Sequence, residues 1–455
     1  MDLAIRHGTV VTVGGTFPAD IGVDGRQIVQ VGGEVPAAAR EIDARGKLLL
    51  PGCVDIHTHL GAAGVAQPID DFLQGTRAAV AGGVTTVCDF AWQRDGGSLL
   101  EAVEAAKADA APKSLIDYAF HTVLRDPSDA AIAELPDLAA AGAGLKLFMS
   151  ALRFDHRADR YLQALHTAGR AGILTAVHAE DASIIALCTA ELLAAGKTGP
   201  EFFPASRPVL AEAVAVRRAI AFARAAEAPI YLVHLSSAEA ITPLAEARRR
   251  GLPIFGETRP IYLYLTEERY ALPDRQGALY VGQPPLRPRS DVDAVWEALR
   301  GGQLHTVCTD HIPYLAERKL DPALDFSRIP PGMSNLETLL PMLYSEGVRT
   351  GRVTLPRLVE LVATNPARLA GLAPRKGVIA PGADADLVVF DLERTRVIHA
   401  PEMQSACDYE LFEGWSVTGW PAVTISRGEV VFEDGRVLGQ PGRGEFVPRS
   451  RFNGL

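Results

Sequence analysis

Between residues 52 and 374 the chain alternates between two textures. Short apolar runs at 53–57, 84–90, 116–122, 143–148, 173–178, 229–234, 253–257 and 304–310 read as buried strands. Most are separated by Ala-rich stretches of helical character, such as 99–111, 160–171 and 211–226. Eight strands alternating with helices predict a (β/α)8 barrel rather than a doubly wound sheet. The flanks differ. Leu3–Arg6 and Val10–Val13 are β-rich and bracket His7-Gly8, and 20–31 reads as a hairpin around Asp24-Gly25. Segments 385–391 and 428–437 have the same strand and strand–turn–strand texture. The expected architecture is therefore α/β: a TIM-like barrel over 52–374 and a small β-sandwich domain formed from both termini, 1–51 plus 375–440. The tail, 441–455, is open to two readings, an arm to a neighbouring subunit or a loose end.

Composition narrows the class of function. Of 455 residues, 48% are hydrophobic and 22% charged, which suits a large soluble core. The net charge of −10 disfavours nonspecific binding to nucleic acid or to an anionic membrane. Five scattered cysteines with no Cys-x-x-Cys pair argue against a disulfide framework or a thiolate zinc site. Cys53, Cys88 and Cys308 read as inert core residues. The N-terminus lacks the apolar stretch of a signal peptide and no segment is long enough to span a membrane, so a cytoplasmic enzyme is expected.

The chemistry concentrates in or at the ends of the strand candidates. His57 and His59 are two apart, so on a strand both imidazoles face one way and can grip one metal ion. Lys146, His178, His234 and Asp310 each lie in or end an apolar run of their own. On a parallel barrel all C-terminal strand ends meet at one rim, which brings such residues together. Lys146, between Leu145 and Leu147, is costly if buried and unpaired. It reads either as a snorkelling side chain or as a neutral amine that captures carbon dioxide to become a carbamate bridging two cations. His178 and His234 would serve a second metal, although either alone reads as a core histidine. Asp310 reads as a metal-touching general base, with a helix cap as the bland alternative. His311 beside it would contact substrate or line the mouth. His7, His156, His166 and His399 are assigned no chemistry, and His121 and His305 match no ligand position.

With these positions placed, the chain resembles the amidohydrolase superfamily in its hydantoinase and dihydropyrimidinase branch, over essentially its full length. The motifs are Pro51-Gly52-Cys53-Val54-Asp55-Ile56-His57-Thr58-His59, Asp70-Asp71-Phe72, Leu145-Lys146-Leu147-Phe148-Met149, Val177-His178-Ala179-Glu180, His234-Leu235-Ser236-Ser237, Gly256-Glu257-Thr258, Thr309-Asp310-His311 and Asn365-Pro366-Ala367. The resemblance implies two divalent metal ions, usually zinc. His57, His59 and Asp310 would hold the first, His178 and His234 the second, and carboxylated Lys146 would bridge. The implied reaction is hydrolytic opening of a cyclic amide (a hydantoin, dihydropyrimidine or related ureide or imide) by metal-hydroxide attack, in a homo-oligomer, a tetramer or dimer.

The chain departs from the branch at three positions. Ala151 stands where many hydantoinases carry an oxyanion-stabilising Tyr, a loss worth about 10²–10³ in turnover. Gln283 stands where Ser is common, and Pro331 where an Asn often contacts the ring. The missing Tyr is shared with allantoinases and an L-selective hydantoinase type, which makes allantoinase the alternative. Arg259, and more weakly Arg153, are further candidate substrate contacts, with rim salt bridges as the bland reading. A dihydroorotase is disfavoured because Leu60-Gly61-Ala62-Ala63 lacks its carboxylate-binding Arg, and a mononuclear deaminase because it leaves Lys146 without a role. A non-catalytic assembly protein of this fold is disfavoured because every ligand is present.

Overall fold

The computed structural model describes residues 1–61 and 67–455. Five strands come first: β1 (Leu3–Thr12), β2 (Gly15–Asp24), β3 (Gln27–Val31), β4 (Arg40–Asp43) and β5 (Lys47–Pro51). Eight barrel strands follow: β6 (Cys53–Asp55), β7 (Val84–Trp92), β8 (Asp117–Val123), β9 (Gly144–Phe148), β10 (Thr175–His178), β11 (Ile230–Leu232), β12 (Ile254–Thr258) and β13 (Thr306–Val307). The last four are β14 (Leu387–Val397), β15 (Ser416–Ser426), β16 (Glu429–Glu433) and β17 (Arg436–Val437).

The barrel strands pair in parallel in simple sequence order from β6 to β13. The two outer strands of that path meet beyond their ends. Thr58 and His311 form a parallel bridge, Asp310 N–H donates to the His57 carbonyl at 2.8 Å and His59 N–H to the His311 carbonyl at 2.9 Å. Closure is thus made by the two segments that carry His57, His59 and Asp310. Helices over Leu99–Ala110, Ala158–Arg170 and Val209–Ala226 lie where expected. Two further helices begin with a side-chain cap: Asp181 accepts from Ile184 N–H at the start of Ala182–Ala194, and Ser237 from Ala240 N–H at the start of Ala238–Arg249. These caps immediately follow His178 and His234, so each strand end is fixed by the start of the next helix. At Gly83 (φ 82°) the chain turns out of helix Phe72–Ala81 into β7, and its carbonyl accepts from Cys53 N–H at 3.0 Å.

Strands from both termini form one mainly antiparallel sheet in the order β17-β16-β15-β14-β5-β1-β2-β3, with β4 also beside β1. It encloses its own core of Ile5, Val10, Ile21, Leu49, Leu387 and Ile425. The two expected strands around His7-Gly8 are one strand with an irregular register between Ile5 and Gly8. His7 takes φ 61°, and a side chain at Gly8 would collide with Leu49. A bulge absorbs the break that the sequence suggested. The tail is fastened to its own chain. Val447 N–H donates to Tyr118 O at 2.8 Å and Phe452 N–H to Gly172 O at 2.9 Å. Val447 and Phe452 pack with Val54, Ala119, Leu174, Tyr231 and Phe255 in an apolar floor inside the barrel.

A buried ion cluster joins barrel and sheet. Lys376 Nζ, fully buried, lies 2.6 Å from Asp117, 2.9 Å from Asp384 and 2.8 Å from Asp386. Lys376→Met removes the cation that the three carboxylates share and leaves, as ion-pair partners among the described residues, only Arg375 on Asp384 and Arg427 on Asp117; removing one partner from a buried ionic group costs about 3–5 kcal/mol. Thermal unfolding of the variant is expected to begin several degrees below wild type; an unchanged unfolding temperature contradicts this role for the cluster.

Candidate metal centre and active-site cavity

The strand ends deliver the predicted side chains to one place. His57, His59 and Asp310 each offer a ligand atom, and all three atoms lie within 4.8 Å of one another. His59 Nε2 is 3.0 Å and His57 Nε2 3.3 Å from Asp310 Oδ1. His57 and His234 rings are 5.5 Å apart, and His234 and His178 rings 4.5 Å apart. His234 and Asp310 adopt left-handed backbone conformations, φ 44° and 49°. For residues with a side chain this is strained backbone, of the kind held in place at functional sites.

Partners missed in the sequence orient these side chains. Glu257 accepts from His57 Nδ1 at 2.7 Å, from Tyr231 Oη at 2.6 Å and from His234 N–H at 3.0 Å. The bond at Nδ1 leaves Nε2 of His57 facing the centre. Glu180 takes His178 Nε2 at 2.8 Å and is itself held by Arg207 at 3.0 and 2.5 Å, leaving His178 Nδ1 as the available nitrogen. Outer-shell carboxylates of this kind fix ring orientation and raise ligand basicity. Burial lowers the pKa of His57, His178 and His234, favouring the neutral imidazole that a cation requires. At Asp310 burial works toward protonation, but Arg259 and then the two imidazoles outweigh it and hold the carboxylate ionised.

Lys146 sits inside the barrel with no exposed surface. Its amine has no hydrogen-bond partner among the described residues and lies 4.9 and 5.0 Å from the ring centres of Phe90 and Phe148. Desolvation pushes its pKa down to about 8, against the pull of Asp310 and Glu257. The snorkelling alternative fails on this geometry, because the amine never reaches solvent. His234 Nδ1 is likewise buried without a partner. Two orphaned nitrogens within a set of imidazoles and a carboxylate fit a cation-binding centre.

Above these groups opens a cavity of about 360 Å³. His57, His59, His178, His234, Asp310, Arg259, Gln283 and Pro331 line it, as do Trp92, Phe148, Tyr314 and Arg328. Arg259 is fully buried; its Nη1 forms an ion pair with Asp310 Oδ2 at 3.1 Å and its Nε donates to Thr309 O at 3.2 Å. Three of the sequence candidates fall outside the cavity wall. Ala151 is exposed and opens the short helix Leu152–His156. Arg153 turns to Asp95 at 2.7 Å and Arg125 O at 3.1 Å. His311 is fully buried, its Nε2 on Asp70 at 2.9 Å and its Nδ1 accepting from Asn335 and Leu336 N–H; it fastens loops together. Positions Ala62 and Ala63, used against a dihydroorotase, lie outside the described residues. Lys319 was not anticipated. Fully buried, it donates to the carbonyls of Leu279, Val281 and Gly332 at 2.6–3.0 Å, tying down the cavity wall around Gly332.

The chain is similar to known proteins over its whole length. Residues 48–431 match the Amidohydrolase family. A D-hydantoinase of Rhizobium radiobacter is 41% identical, over 99% of this chain and 100% of its own. A D-phenylhydantoinase of Escherichia coli O9:H4 (strain HS) is 38% identical over 99% of each. The crystal structure of dihydropyrimidinase from Brevibacillus agri NCHU1002 superposes with a TM-score of 0.96 at 38% identity, covering 100% of both chains. The chain therefore belongs to the amidohydrolase family, in its hydantoinase branch.

Proposed function

We propose that this chain is a metal-dependent hydrolase that opens a cyclic amide ring, of hydantoin or dihydropyrimidine type. The observation that carries the reading is the converging set of His57, His59, His178, His234 and Asp310 around the orphaned, fully buried Lys146. Relatives named hydantoinases, of the same length and fold, support the reaction class, and the allantoinase alternative is not needed to account for them.

His57, His59 and Asp310 would hold one ion and His178 and His234 a second, with Lys146 as a carbamate between them. The neutral amine favoured by burial is the form that adds carbon dioxide, with release of one proton to solvent, and the carbamate anion would be neutralised by the cations held by the neighbouring side chains. When bound, such ions polarise the ring carbonyl and lower the pKa of water from about 15.7 toward roughly 7. The protein groups do the rest. Asp310 Oδ1 faces the imidazoles, while Oδ2, on the Arg259 side, takes the proton from water and returns it to the leaving ring nitrogen. Arg259 holds that carboxylate in line. Trp92 and Phe148, stacked 5.6 Å apart, give the ring an apolar wall that excludes water. Gln283 and Pro331 lie on the cavity wall where the ring binds, whereas Ala151 and Arg153 do not reach it. No Tyr near Ala151 reaches the cavity, so stabilisation of the oxyanion would be left to the ions that His57, His59, His178, His234 and Asp310 would hold.

The described residues hold no helix long and apolar enough to cross a membrane. The cysteines are all free, which suits a reducing, cytoplasmic setting. A homo-oligomer, dimer or tetramer, is part of the proposal and rests on the resemblance alone.

The test is ring opening by the zinc-loaded chain, read as proton release, on dihydrouracil, both enantiomers of 5-substituted hydantoins, allantoin and cyclic imides. Turnover of a hydantoin or dihydropyrimidine is expected. Silence across the panel with two ions bound per chain would move the substrate outside this branch, and silence without bound metal would revive the non-catalytic reading.

A further inference from the structure

The chain carries a net charge of −10, yet its cavity has the opposite sign. Three guanidinium groups, Arg259, Arg318 and Arg328, line it against one carboxylate, Asp310. Two of the three already have work. Arg259 is buried against Asp310. Arg318 donates to Gln67 O at 3.0 Å and lies 5.0 Å over the Tyr314 ring. The Arg328 guanidinium has no ion pair or hydrogen bond among the described residues, although it is exposed at the cavity wall.

The backbone under Arg328 is not loose. Its neighbours Phe326 and Ile329 are buried, at 0% and 2% exposure. Phe326 N–H donates to Thr198 O at 2.9 Å, and Arg275 reaches in to bond the carbonyls of Asp321 and Leu324. Farther along, Lys319 holds Gly332. Arg328, without an ion pair or hydrogen bond among the described residues, thus lines the cavity from a pinned loop. Besides the arginines, Asp310 and the histidines, the cavity wall carries the apolar groups Trp92, Phe148, Ile312, Tyr314 and Pro330. A cyclic ligand with a short apolar arm that ends in an anion matches this mixture of surfaces.

We propose that the natural substrate is a cyclic amide bearing a carboxylate on a short side chain, and that Arg328, assisted by Arg318, binds that carboxylate. The inference rests on the ring-opening reading above and adds the substrate class. Opening the ring also creates a carboxylate, but that group forms at the floor beside Asp310 and Arg259, whereas Arg328 would recognise an anion present before the reaction.

The test compares kcat/KM for 5-(2-carboxyethyl)hydantoin and its neutral isostere 5-(2-carbamoylethyl)hydantoin on metal-loaded wild type, Arg328→Gln and Arg318→Gln. Wild type is expected to prefer the carboxylate by about 10-fold or more, mostly through KM, as for a charge-assisted hydrogen bond made equally in ground and transition states. The ratio is expected to collapse toward 1 in Arg328→Gln, to fall partly in Arg318→Gln, and to shrink in wild type as salt rises from about 0.05 to 0.5 M. A wild-type ratio near 1, or a ratio unchanged by Arg328→Gln, overturns the proposal while leaving ring opening intact. Weaker product inhibition in Arg328→Gln without any substrate preference also overturns it, by assigning Arg328 to the product. If neither hydantoin nor any other cyclic amide is opened, the parent reading and this one fall together.

Discussion

Lys146→Met is expected to yield a folded protein that binds little metal and opens no ring. The amine lies beside Phe90 and Phe148 and has no hydrogen-bond partner among the described residues, so an unbranched apolar side chain of similar length fits its channel. Replacing a buried, uncompensated ionisable group with an apolar one of similar shape is neutral or stabilising. The metal-free variant should therefore unfold no earlier than metal-free wild type. What it lacks is the group that becomes an anion between two cations. Metal content measured by mass spectrometry should fall below one ion per chain, and kcat/KM by about 10³-fold or more, equivalent to the several kcal/mol of charge stabilisation that metal supplies. Full metal content and normal turnover in this variant would remove the carbamate bridge from the account. Early unfolding of the metal-free variant would instead mean that Lys146 stabilises the barrel as an ammonium.

Asp310→Asn is the second large effect. Asn keeps the size of the carboxylate and an oxygen toward His57 and His59, which lie 3.3 and 3.0 Å from Oδ1. It cannot accept and return a proton, and it leaves Arg259, fully buried and ion-paired to Oδ2, without its partner. General acid–base catalysis contributes about 10²–10⁴-fold, so kcat is expected to fall by that amount or more. The ion on the His178–His234 side should be retained, because Asp310 is not placed among its ligands. Near-normal kcat in Asp310→Asn would exclude Asp310 as the proton carrier. A drop confined to KM would assign it to binding alone.

Much of the scaffold could be read from the sequence because alternation is a local signal. The strand candidates at 84–90 and 143–148 became Val84–Trp92 and Gly144–Phe148, and the Ala-rich stretch at 99–111 became helix Leu99–Ala110. The convergence of His57, His59, His178, His234 and Asp310 was legible too, since strand ends of a parallel barrel share a rim. Even so, His57, His234 and Asp310 lie just past the regular ladder, where strained backbone at His234 and Asp310 aims them. No periodicity encodes that. Glu257 and Glu180 stood in quoted motifs without a role. The His178-to-Glu180 spacing of two was a local clue, but His57 and Glu257 are 200 residues apart and meet only through barrel closure. Arg328, Tyr314 and Lys319 lie on the long connection after β13, whose shape is set by buried anchors and carbonyl contacts rather than by pattern. Ala151 is singled out by the resemblance and Arg153 as a weaker candidate contact beside Arg259, but the chain turns there into a short helix, and Asp95 captures Arg153. The tail docks through backbone N–H groups, which every residue carries, and through Phe446, Val447, Arg449 and Phe452, whose partners are distant in sequence and meet them only in the folded barrel.

The central claim is that hydrolysis depends on a pair of ions held around a modified Lys146. The most direct measurement is hydantoin ring opening by chelator-stripped protein as zinc is returned, with and without added bicarbonate. The account predicts negligible turnover without metal, a rise that ends near two ions per chain, and faster recovery with bicarbonate. Full turnover without metal, or a plateau at one ion with no response to bicarbonate, would contradict it.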